Sequence, residues 1–330
     1  MNLRLFLLIM VVFATGLATG FFAYSFVQEK PTLAGESASK QVRQIGSYTY
    51  INPLLECEVA DGSIDARKEN FHDELEAFIA RLKNDKNLSE GAVYFRDLNN
   101  GPAFGINDQS GFFPASLLKV PILMAYYHVA ERDPFILKDT IRFEAPRDFG
   151  DIYQSIIPEK ELVSGEVYSV EELIQRMIVY SDNQAAFLLA NSLPETDFES
   201  LFGMLGLDKD TLEKTGVKLT VKEYASFFRI LFNSSYLSAE YSEKVLKLLN
   251  ETNFSDALKA GVPDSVSVSH KFGEAGTEGA ERQLHDCGIV YFPNHPYLAC
   301  IMTRGKDTDT LKKSIADISR FIYEKIDEQY

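Results

Sequence analysis

Basic residues are the minority in this chain: 33 Lys and Arg stand against 48 Asp and Glu over 330 residues, a formal net charge of -15. Phosphate contacts need clustered cations, and no such cluster occurs, so nucleic acid is excluded as a partner. Cysteine is nearly absent. Cys57, Cys287 and Cys300 are an odd number, which leaves at least one thiol unpaired, and they form no metal set. Nothing in the chain asks for a metal or another cofactor, and there is no internal repeat or coiled-coil heptad. An apolar content of 45% is ample for a packed core.

Long hydrophobic runs are also missing, with one exception. Leu5 to Val27 carries no charged residue and is long enough to cross a bilayer core of about 30 Å as a helix. Only Arg4 and the amino terminus are positive before it, which places residues 1–4 as a cytoplasmic tip and the remainder outside the cytoplasm. The rival is a cleaved signal peptide, since Ala18 and Gly20 are small, but the run exceeds the usual apolar length of about 7 to 15 residues. Residues 28–62 mix Lys, Glu, Ser, Gly and Pro without period and read as an extracytoplasmic tether.

From Ser63 the period changes. Phe71, Leu75, Phe78, Ile79 and Leu82 form one helical stripe. Two strand-like runs follow, GAVYFRDL and PAFGIN, around the turn signal Asn99-Asn100-Gly101. SLLKVPILMAYYHVA is apolar enough for a buried central helix, with Pro121 early in it, where a missing N–H does least harm. Residues 132–263 show repeated period-3.6 runs with Thr220 and Ser238 as N-caps. Three alternating segments, SVSVSHKFG, QLHDCGIVYF and YLACIMTRG, precede a last helix striped by Leu311, Ile315, Ile318, Ile322 and Ile326. The economical fold is α+β: a five-stranded antiparallel sheet formed from both ends of residues 63–327, packed with helices, with an all-helical subdomain inserted at 132–263. If YFPNHPYL turns at Pro293 to Pro296, Cys287 and Cys300 lie roughly diagonal on one sheet face, where the geometry admits a bridge but two buried apolar thiols are expected.

Chemistry is carried first by Ser116 and Lys119. Three apart at a helix start, they share a face, and a buried lysine of lowered pKa can take the serine's proton. Composition alone yields about one Ser-x-x-Lys in a chain of this length, so the setting matters. Pro114-Ala115 lead in as a loop, which puts Ser116 at the positive end of the helix dipole, and Lys119 sits within LLKVPILM, where a solvated lysine is out of place. Ser181-Asp182-Asn183 interrupts two helical runs. It could simply cap the second helix, yet a three-residue break can also aim Ser181 and Asn183 into a cleft.

These elements, with a later strand bearing Lys-x-Gly, make the chain resemble the penicillin-recognising serine enzymes, and among them the class A β-lactamases, over roughly residues 63–327. The resemblance implies the same α+β fold, Ser116 as acylated nucleophile, Lys119 as base, Ser181 as proton relay and Asn183 as a contact to substrate and Lys119. Of two Lys-x-Gly candidates, Lys214-Thr215-Gly216 lies inside the helical block, whereas Lys271-Phe272-Gly273 follows a β-rich run. Lys271 is therefore expected to bind a substrate carboxylate or tune Ser181, and the N–H groups of Ser116 and Glu274 to form an oxyanion hole beside Gly273. The implied substrate is a β-lactam or peptidoglycan-type peptide, and the implied enzyme is a membrane-anchored serine hydrolase or acyltransferase. True β-lactamase activity and a non-catalytic penicillin-binding-like module are the alternatives. Two departures stand out: Phe272 replaces the family's Thr or Ser, and LGLDKDTLEKTGVKLT lacks the Glu-x-x-Leu-Asn pattern and offers only Glu213. Arg282 either supplies a compensating guanidinium or is a solvated strand-edge residue, and His285-Asp286 reads as structural.

Overall fold

Alternating residues of the central strands are buried on both faces, so the sheet must be covered twice. The computed structural model describes residues 48–53, 66–85, 88–99, 102–149, 161–207, 218–276 and 281–330. Residues 5–27, Cys57, Asn100, Gly101, Glu213 and the Lys214-Thr215-Gly216 triplet lie outside that set. Among the described residues, no helix is long and apolar enough to cross a membrane.

Helix α1 (Ala66–Asn84) leads into the hairpin β1 (Glu90–Asp97) and β2 (Ala103–Ile106). A 3₁₀ turn, Ala115–Leu118, opens α2 (Lys119–Arg132). The block that follows contains β3 (Thr140–Arg142), β4 (Val167–Ser169), α3 (Val170–Val179), α4 (Asn183–Ser192), α5 (Glu195–Met204), α6 (Val221–Phe232) and α7 (Ala239–Asn250). The chain returns through β5 (Val268–Ala275), β6 (Arg282–Val290) and β7 (Tyr297–Gly305) and ends in α8 (Thr308–Gln329). All neighbouring strands of the five-stranded sheet are antiparallel, in the order β2-β1-β7-β6-β5. The expected five-stranded α+β fold is therefore present, with β5 on an edge.

Alternation sorts the two covers. Val93, Phe95, Ile301 and Leu284 face the terminal helices, where Leu75 and Ile79 of α1 meet Ile315, Ile318 and Ile322 of α8. Ala92, Tyr94, Met302 and Leu298 face the inserted block, where Leu123 of α2 and Tyr224 and Phe228 of α6 are fully buried. Thr220 caps α6 with a reciprocal Glu223 bond, and Ser238 caps α7, as their residue types dictate.

Three expectations change. The inserted block is not all-helical, because β3 and β4 pair antiparallel within it; strands of three residues are too short to display a period of two. Cys287 and Cys300 are directly opposite rather than diagonal, and they form a disulfide. A bridge removes two thiols in a cross-strand pair that register alone brings together. Finally, residues 48–53 are more than tether. Glu243 of α7 accepts the backbone N–H groups of Thr49, Tyr50 and Ile51 at 2.7, 2.9 and 3.1 Å, and Ile51 and Pro53 are buried.

Candidate active site

The 3₁₀ turn Ala115–Leu118 delivers Ser116, half-buried, immediately before Lys119 begins α2. The turn rests on the edge strand: a Cβ added to Gly273 would lie 2.6 Å from Pro114 O and 2.9 Å from Leu117 Cγ, so only glycine permits this approach. Lys271 and Gly273 face the inserted block with Cys287 and His285, their register partners on β6.

Tyr180 to Asp182 break the chain between α3 and α4, as the triplet Ser181-Asp182-Asn183 suggests. Asp182 caps α4 by accepting from Gln184 N and Ala185 N, while Ser181, held at φ 56, turns toward the lysines. Lys119 Nζ donates to Ser181 O at 2.5 Å, to Ser181 Oγ at 3.0 Å and to Asn183 Oδ1 at 2.7 Å. Lys271 Nζ reaches the same Ser181 Oγ at 2.9 Å and also donates to Phe272 O at 3.0 Å. One hydroxyl thus stands between two ammonium groups.

Burial sets the charges. Lys119 is 4% exposed and Lys271 fully buried. Loss of water pushes Lys119 well below the ordinary lysine range, and the positive charge of Lys271 pushes the same way, against Asp182 and Glu274. Lys271 is brought down to about 7 by burial, opposed by Asp286 and Glu274. Losing the proton from Lys119 relieves both its desolvation and the repulsion, which is what a general base for a serine hydroxyl requires.

Phe272 does not stand beside Ser116. Its ring stacks on Phe254 at 4.0 Å in the core shared with the terminal helices, and the Lys271 ammonium lies 3.9 Å from its centroid. The ring therefore belongs to the core and not to the Ser116 side of the strand, and it helps to desolvate Lys271. His285 is structural: its Nε2 lies 3.1 Å from Phe113 O and its Nδ1 takes Thr303 N–H at 3.3 Å. Asp286 pairs with His270 at 2.8 Å. Arg282 opens β6, and after the Thr310 hydrogen bonds its charge is a smaller contribution to holding the Asp307 carboxyl below its usual range. The residues that sequence reasoning passed over are Tyr224, whose hydroxyl donates to Leu117 O at 2.9 Å, and Gln283, whose Oε1 accepts Phe113 N–H at 3.1 Å. Neither carries a sequence signal, for Tyr224 reads as one more apolar position on α6.

A Ser-x-x-Lys helix start whose buried lysine shares the Ser181 hydroxyl with a second buried lysine, on a strand at the sheet edge, is the arrangement of the β-lactamase-like serine hydrolases. The sequence signature of the Beta-lactamase enzyme family matches residues 72–326, and the chain belongs to that family. No curated protein matches it. Among solved structures, a mutant of PBP-A in its acyl-enzyme complex with penicillin G is 21% identical, with 79% of this chain and 97% of that one covered at a TM-score of 0.66. A class A β-lactamase from Bacteroides cellulosilyticus is 20% identical over 80% and 100% of the two chains, TM-score 0.65. One from Mycobacterium abscessus is 21% identical over 77% and 99%, TM-score 0.64.

Proposed function

We propose that the protein is a membrane-anchored, extracytoplasmic serine acyl-transfer enzyme that forms an acyl-enzyme on Ser116 with a β-lactam or a cell-wall peptide. The observation that carries this reading is the Ser181 hydroxyl placed within hydrogen-bond distance of both buried lysines. Neutral Lys119 removes the Ser116 proton as Oγ attacks the amide carbonyl. The oxyanion forms against the N–H groups of Ser116 and Glu274, the latter one residue beyond the Gly273 contact. As the C–N bond breaks, the proton passes from Lys119 through Ser181 to the leaving nitrogen, and the Ser116 ester remains. Lys271 supplies the cation that holds Ser181 and attracts a substrate carboxylate. Without a Glu-x-x-Leu-Asn loop to activate water, the ester is expected to persist or to pass to an amine. The uncharged run Leu5 to Val27 supports the anchor.

Mass spectrometry after exposure to penicillin tests the reading. One acyl adduct on Ser116, absent from Ser116→Ala, is expected. An unmodified wild type, or an adduct retained by the alanine variant, overturns it. Rapid loss of the adduct with nitrocefin turnover, abolished by Glu213→Gln, would make the enzyme a true β-lactamase instead. Membrane fractionation with external protease digestion checks the anchor and its orientation.

A further inference from the structure

The run from Phe112 to Leu117 is fastened to three separate elements. Phe112 exchanges both backbone hydrogen bonds with Leu219, each at 2.9 Å. Phe113 gives its N–H to Gln283 Oε1 and lies with its carbonyl 3.1 Å from His285 Nε2, both from β6. Leu117 O receives the Tyr224 hydroxyl from α6. Between these anchors, Ala115 sits at φ 50, a region unfavourable to any residue with a Cβ. Lys119 is located independently, by its three bonds to Ser181 and Asn183. If Ala115 relaxed, Ser116 would rotate while the base stayed still.

We infer that Tyr224 and His285 are positioning residues that hold Ser116 in line with Lys119 by pinning the carbonyls on either side of Ala115. The inference rests on Ser116 being the nucleophile. Two features distinguish it from ordinary core packing. Pro121 offers Leu117 O no amide at the α-helical spacing, so beside the Lys119 N–H of the 3₁₀ turn the Tyr224 hydroxyl takes the place left open. Tyr224 is fully buried among Val221, Phe227 and Phe228, where phenylalanine would pack without a hydroxyl to satisfy. On the other side, Thr303 N–H occupies His285 Nδ1, which leaves Nε2–H as the donor aimed at Phe113 O. Burial brings this imidazole down to about 3. It therefore stays neutral at working pH, a fixed donor and not a proton carrier.

The test is the acylation rate of Tyr224→Phe with a fluorescent penicillin across pH, normalised to folded protein. A plateau about 10- to 100-fold below wild type is expected, the scale of a nucleophile misplaced by a fraction of an ångström to one ångström, with the inflection pH unchanged because the surroundings of Lys119 are intact. A wild-type plateau overturns the inference, and so does a displaced inflection, which would route the effect through the base. Should Tyr224→Phe fail to fold, His285→Gln carries the same measurement. If the wild type takes no penicillin, the nucleophile reading fails, and crystal structures of the same variants decide the positioning role: Ala115 leaving positive φ supports it, and an unmoved Ser116 overturns it.

Discussion

Strand β5 buries ionisable groups on both faces, and the two sets are built on opposite lines. Toward the terminal helices, the His270 ring nitrogen lies 2.8 Å from Asp286 Oδ1, while the other carboxylate oxygen accepts Leu258 N–H at 2.9 Å. Gly288 lies opposite His270 in register, where a Cβ would come within 2.4 Å of Ser269 O. Toward the inserted block, Lys271 and Lys119 converge on one hydroxyl, and their hydrogen bonds go to a hydroxyl, an amide oxygen and carbonyls. On the first face each polar group has a partner, so taking one away leaves the other buried and unsatisfied. Buried like charges facing one another are held in tension, and one can give up its proton cheaply.

The sharpest way to break that contrast is to remove the base. Lys119→Met is expected to lower the acylation rate by about 1,000-fold, while its melting temperature holds or rises, because a buried amine is replaced by an apolar chain of similar length. Fluorescent-penicillin kinetics paired with calorimetry read both halves. Asp286→Asn tests the other face and should invert the result. Removing one member of a buried pair is expected to cost about 3 kcal/mol in denaturant unfolding. Acylation per folded molecule falls far less, with any descending limb moved to lower pH because Asp286 opposes the depression of Lys271.

Lys271→Met sits between these extremes. An acylation loss of about 100-fold is expected, and the rising limb of the pH profile should move upward, since the Lys271 charge is one cause of the lowered Lys119 value. Stability gives an independent sign. Lys271 titrates at about 7 when folded and near 10.4 when unfolded, so between those values the unfolded chain binds more protons and stability rises with pH. The variant should lose that rise, and comparing unfolding at pH 7 and pH 9.5 for both proteins measures it. An unchanged slope would mean that Lys271 is protonated throughout.

How much of this is legible in the sequence depends on how local the cause is. Ser116 and Lys119, and the Ser181-Asp182-Asn183 break, are set within one helical turn or one loop, so residue type and spacing reveal them. The stripes of α1 and α8, and the switch to alternation after Val266, announce the two covers and the sheet for the same reason. Placing Lys271 over the literal Lys214 triplet needs only the strand context of SVSVSHKFG. Register is another matter: nothing in the 13-residue separation of Cys287 and Cys300 distinguishes opposite from diagonal, because that depends on where the intervening turn closes. Phe272 reads as a lost hydroxyl, and only the Phe254 stack shows that the ring belongs to the core. Tyr224 is invisible because one hydroxyl in an apolar stripe leaves the period unchanged. The 48–53 segment has no period at all, since its contacts are made by backbone amides.

That segment supplies the smallest effect. Besides the three amides on Glu243, Asn52 N–H reaches Phe232 O at 2.9 Å, and the Tyr291 hydroxyl lies 3.0 Å from Tyr50 O and 3.2 Å from Ser269 Oγ. Ser269 lies on β5 two residues before Lys271 and on the same face, so the strap touches the strand that carries Lys271. Glu243→Gln keeps the length but replaces a carboxylate that accepts from three donors by a single amide oxygen. A loss of about 1 kcal/mol is expected, with faster hydrogen exchange at Thr49, Tyr50 and Ile51 and acylation within about twofold of wild type. Ser269 Oγ also bonds Leu246 O at 2.6 Å, an anchor that does not pass through the strap. Release of residues 48–53 should therefore leave β5 in place, and a parallel fall in acylation would show instead that the strap helps to hold Lys271.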